Sequence, residues 1–211
     1  MRLLTTLFLI FALSGCQSAY YATMEKVGVH KRDIMADRVE AASEAQQEAS
    51  EQFTSALEAL TALTNFDGGE LEAMYNTIND QYEESEATVE NVKERIDAVE
   101  DVSDALFDEW QEELSLYSSA TLRRESERKL KNTERSYTQM LAAMRKAEGK
   151  MEPVLDTLRD NSLYLKHNLN AAAIGALKGE FAGLEDDINI AIKDMQAAIN
   201  ESERFLATLK N

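Results

Sequence analysis

Apolar side chains recur every three or four residues along almost the whole of this chain, in four separate stretches. That spacing lays one apolar stripe along a helix, whereas a strand would alternate with a period of two. The first stripe runs from Tyr21 and Met24 through Met35, Val39 and Phe53 to Leu63, and stops at "NFDGGE". The second runs from Leu71 through Val89, Ile96 and Trp110 to Tyr117, and breaks at "YSSAT", where Ser118 or Ser119 can cap the next helix. The third runs from Leu122 to Leu169, and the fourth from Ile174 to Leu209.

Residues 18–65, 70–117 and 120–168 are matched in length, at about 70 Å of helix each, and 171–209 is somewhat shorter. Short turns between helices of matched length make sequential neighbours antiparallel. The pattern therefore predicts an all-α fold, an elongated antiparallel up-down-up-down four-helix bundle of coiled-coil type. Two places strain it. Pro153 inside the third helix should kink or split it. The first helix loses its stripe at Gly28 and Lys31.

Charge supports the pairing of the second and third helices. Residues 67–114 carry 17 acidic and two basic residues, and residues 121–152 carry nine basic and five acidic. Antiparallel packing would set Arg123, Arg124, Arg128, Lys129 and Lys131 against Asp104, Asp108, Glu109, Glu112 and Glu113. With a net charge of −17, the chain is a poor candidate for binding nucleic acid.

The first fifteen residues follow another logic. Met1 and Arg2 give a short positive start, and Leu3 to Leu13 are nearly all apolar, too short a run to span a bilayer. Leu13-Ser14-Gly15-Cys16 then resembles the bacterial lipobox. The resemblance implies that residues 1–15 are a cleaved signal peptide and that residues 16–211 are one periplasmic helical domain, acylated at Cys16. Gln17, rather than Asp, after the acylated cysteine implies the outer membrane. The three acyl chains that the resemblance implies on that one residue exceed the two signals needed for stable anchoring. Cys16 is the only cysteine, so such a mature chain has no thiol for a disulfide, redox centre or metal.

The segments "YYATMEKVGVHKRDIMADRV", "LRRESERKLKNTERSY", "MEPVL" and "LKHNLNAAAIGALKGE" are similar to those of a proteobacterial lipoprotein family known as domain of unknown function 2959. The resemblance extends over nearly all of residues 16–211. It implies export, a lipid anchor and a helical body, and no activity.

Catalytic and metal motifs are missing from the sequence. His30 and His167 fall about 50 Å apart along such a bundle, too far to share a metal or a triad. Glu-x-x-His pairs are absent, and outward carboxylates do not close a cation cage. No cofactor is expected, and the chain is read as non-enzymatic.

Three features could bind something. Gly175, Gly179 and Gly183 form a stripe on the fourth helix, read as close approach of a neighbouring helix or as a groove for a partner helix. Phe107 and Trp110 complete the core or form an anchor. Tyr117 with Arg123 and Arg124 at the second turn could touch lipid headgroups, unless the arginines simply pair with the second helix. The expected partners are the membrane, through the anchor, an unidentified periplasmic or envelope protein, and a second copy of the chain.

Overall fold

The computed structural model describes residues 20–21, 23–64, 71–168 and 171–210. Four helices make up the body: α1 (Lys31–Thr64), α2 (Leu71–Glu113), α3 (Ala120–His167) and α4 (Ala171–Lys210). Each packs on the helix before and after it, and α1 closes the ring against α4. Cross-helix hydrogen bonds fix the antiparallel register. Gln52 of α1 reaches Gln81 and Ser85 of α2, Ser162 of α3 donates to Asn79 of α2, and Lys146 of α3 meets Asp194 of α4. The all-α bundle expected from the spacing is the fold observed.

The seam keeps a strict alternation of four and three residues. In α1 it runs Met35, Val39, Ala42, Gln46, Ala49, Phe53, Ala56, Leu60, Leu63, every one buried. In α4 it runs Leu177, Phe181, Leu184, Ile188, Ala191, Met195, Ala198, Ser202, Phe205, Leu209, again all buried. Such a regular repeat keeps the same face of each helix turned inward for its whole length.

Polar residues interrupt the seam at intervals, and most have partners. Ser103 donates to Tyr137 (2.6 Å) and Trp110 donates to Ser126 (2.8 Å). The hydroxyl hydrogens of Thr133 and Ser202 go to carbonyls one turn back on their own helices. Gln46 and Asn161 are exceptions: both amide atoms of Gln46 and the side-chain nitrogen of Asn161 are enclosed, with no hydrogen-bond partner among the described residues.

The first helix departs from expectation. It does not run unbroken from residue 18. Residues 23–26 form a separate helical turn, closed by Gly28 N–H to Glu25 O and Val29 N–H to Met24 O. This is the Schellman closure, with Gly28 at φ +86°, a backbone region that glycine enters without steric cost. The chain then reverses and α1 begins at Lys31.

Pro153 does not split the third helix, which is continuous from Ala120 to His167. Proline removes one backbone hydrogen bond and crowds the carbonyl four residues back, here that of Gly149. Met151, Val154 and Leu158 are fully buried around it, and that packing holds the helix together across the local defect.

Candidate functional site at the α2–α3 turn

One end of the bundle collects most of the features singled out above. It is formed by the start of α1, the end of α2, the start of α3 and the end of α4. The N-terminal segment is fastened beside it. Tyr21 is buried, and its hydroxyl donates to Asp101 at 2.8 Å. Burial, with that bond to a carboxylate, pushes the phenol up to about 12. Four residues on, Glu25 shares the Lys31 ammonium with Glu109 of α2, the latter at 2.8 Å. Burial and the adjacent Glu25 carboxylate hold the Glu109 carboxyl above the usual glutamate range. The hydrogen bond from Lys31 holds Glu25 below it. Burial works against the charge on Lys31, but the two carboxylates more than compensate and raise its pKa.

The turn itself follows from its capping chemistry. After Glu113 the chain tightens into a single 3₁₀ turn, Leu114–Leu116, with Leu114 buried. Tyr117 is extended, and Ser119, one of the two expected caps, accepts from Leu122 N–H at 3.4 Å. Leu116, Tyr117 and Leu122 are left exposed, Leu116 by 79%.

Arg123, Arg124 and Arg128 lie on the exposed face just beyond. None of the three forms an ion pair with another described residue. The expected pairing of these arginines with α2 is therefore corrected, for a positional reason. Ser126, Leu130 and Thr133 occupy the seam, which turns residues 124 and 128 outward, away from α2, whereas Arg123 lies in line with the seam but in the first turn of α3, where it is exposed. Lys131 pairs within its own helix, with Glu127 at 2.9 Å, and holds that carboxyl down. The α2–α3 seam is bridged further along instead, where Arg145 spans Asp97, Glu100 and Glu148 and its own pKa rises.

The other candidates fall as follows. Phe107 packs edge-on against Tyr137 (5.3 Å between ring centres), and Trp110 is half-buried with its indole N–H satisfied. Both serve the packing of this end. Gly175 and Gly183 are exposed, and a Cβ added at either would meet nothing within 4 Å. Close approach of a neighbouring helix is thus not the reason for glycine at those two positions. Gly179 belongs to α4, but its surroundings lie outside the described residues, as does Cys16. His30 precedes α1 at the turn end, and His167 closes α3 at the opposite end.

Among the described residues no three His, Cys, Asp or Glu side chains converge as metal ligands, and no helix is long and apolar enough to cross a membrane. The buried polar seam residues and the Tyr21–Asp101 bond were not singled out in the sequence. Gln46, Ser85, Ser103, Asn161 and Ser202 could have been found by extending the strict four-three count through polar positions.

The model of the family described as Protein of unknown function (DUF2959) matches residues 20–209. The chain belongs to that family. No curated protein matches it.

Proposed function

We propose that this DUF2959 protein is a non-catalytic, lipid-anchored helical rod, cleaved before Cys16, acylated there and held at the outer membrane on its periplasmic side. Its body serves a structural or protein-interaction role. The observation that carries the reading is the N-terminal clamp. Tyr21 on Asp101, and Lys31 between Glu25 and Glu109, fix the start of the described chain to the turn end of the bundle. Only three residues lie between Cys16 and Tyr20, a reach of at most about 14 Å. A lipid on Cys16 would therefore be tied to a rod whose longest helix, 48 residues, extends about 70 Å.

The test is expression of the full-length protein and its Cys16→Ser variant in a diderm host fed an alkyne fatty acid. Label on the wild type alone, with the variant released from membranes, is expected. A variant that keeps the membrane fraction would sink the anchor. In-cell photo-crosslinking from Tyr117 and, separately, from Gly179 tests the interaction role, for which a discrete protein adduct is expected.

A second reading is favoured by a specific observation. Leu116, Tyr117 and Leu122 are exposed beside Arg123 and Arg124, which have no ion-pair partners among the described residues. Apolar bodies flanked by guanidinium groups suit a headgroup region. On this reading the turn contacts lipid, and the Cys16→Ser protein binds anionic vesicles at low salt and leaves them at high salt. No binding at low salt would remove it.

A further inference from the structure

A cleft of about 360 Å³ opens where all four helices end, beside the α2–α3 turn. Its charged lining comes from three different helices: Arg32 of α1, Lys129 of α3 and Lys210 of α4. Among the described residues no acidic side chain lines it, although the chain carries 39 acidic residues against 22 basic. Trp110 of α2 and the mostly buried Leu209 supply apolar surface, and Asn132 adds an amide. The hydroxyl hydrogens of the two threonines that complete the lining are spent on carbonyls of their own helices. Arg32, Lys210 and the Asn132 amide are donors in that lining, and Lys129 adds positive charge.

From this arrangement we infer that the cleft binds a phosphate group, either as the free anion or as the phosphate of a lipid headgroup. A cleft whose described lining carries cations from three helices is where an anion is attracted on a molecule that repels anions almost everywhere else. Arg32 offers the planar fork that matches two phosphate oxygens, and the lysines add point charges around it. Neither Arg32 nor Lys210 has an ion-pair partner among the described residues. The volume exceeds that of phosphate alone and leaves room for a short organic substituent against Trp110. The inference goes beyond the rod reading and holds whether or not Cys16 is acylated.

Trp110 is the only tryptophan, so its emission reports on this cleft alone. The full chain, in a non-ionic detergent at constant ionic strength, is titrated with inorganic phosphate, with dihexanoyl phosphatidate, and with dihexanoylglycerol, which has the same tails and no phosphate. A saturable change with a phosphate-bearing ligand, absent with dihexanoylglycerol, is expected. Saturation by inorganic phosphate identifies the free anion as sufficient, and saturation by phosphatidate alone identifies the lipid headgroup. Arg32→Gln and Lys210→Gln, both at exposed positions, should each weaken binding about tenfold. Lys193→Gln, exposed and far along α4, should not. No response to either phosphate, an equal response to dihexanoylglycerol, or unchanged titration of both cleft variants would overturn the proposal.

Discussion

Tyr21 and Asp101 are 80 residues apart in the chain and joined by a 2.8 Å hydrogen bond that closes the N-terminal segment onto α2. Tyr21→Phe keeps the ring in its buried position and removes only the hydroxyl. The cost is expected to be about 1 kcal/mol. It should fall on the segment before Gly28 and leave the core helices alone, so amide exchange at residues 20–30 should quicken while that of α3 holds. The raised phenol also gives the bond a pH limit. A group whose folded pKa lies above its unfolded value contributes fully below the latter and loses that contribution as pH rises through the former. The segment should loosen between pH 10 and about 12 in the wild type and show no such step in Tyr21→Phe.

The shared ammonium of Lys31 predicts a second pH dependence, at the acid end. Glu109 is raised, so its contribution is present below the ordinary glutamate value of 4.5 and fades as pH rises through its folded value. Glu25 is lowered, so its contribution is present above 4.5 and is lost as pH falls through its folded value. The two windows overlap around 4.5. Opening free energies from amide exchange at residues 20–30 should therefore peak in mildly acidic solution and decline on either side. A steady trend from neutral pH to strong acid would contradict the shared clamp.

Gln46 predicts a gain from removing a polar group. Its amide occupies a seam position, wholly enclosed, with neither atom hydrogen-bonded among the described residues. Gln46→Met keeps the length of the side chain and removes the desolvation penalty. Stability should rise by about 1–3 kcal/mol in chemical denaturation. Lower stability would mean that the amide has a partner.

Glycine-to-alanine changes on α4 separate the two explanations of its stripe. Gly175 and Gly183 have open space where a Cβ would go. Alanine at each should raise the melting temperature, by about 0.5–1 kcal/mol of stability per site. Destabilisation at either would restore close helix approach as the reason for glycine there.

The bundle was legible because its four stripes obey one period over long distances, and no local exception outweighs that much buried surface. Val39, Phe53, Ile96, Met144, Ile188 and Met195 all occupy the seam their spacing predicts. Two local readings failed for different physical reasons. Apolar residues at 21 and 24 stay in phase with those from 35 onward even though the chain reverses between them. Only the weakened stripe at Gly28 and Lys31 hinted at the Schellman closure. The arginines after the turn were matched to acids by position along the axis, which says nothing about which way a side chain points around the helix. The outward direction of Arg124 and Arg128 becomes visible only once Ser126 and Thr133, polar residues at seam positions, are counted as core. The cleft combines Arg32, Trp110, Lys129 and Lys210 from four helices, and no local pattern marks such a set.

The start of α3 holds six basic and three acidic residues between positions 120 and 135, while the end of α2 beside it, residues 96–113, holds eight acidic and no basic ones. Opposite charge thus lies side by side around the axis at the turn end. A charged surface approaching there meets cations on one flank and carboxylates on the other, so the molecule offers it two faces of opposite sign. Added salt would progressively level the difference.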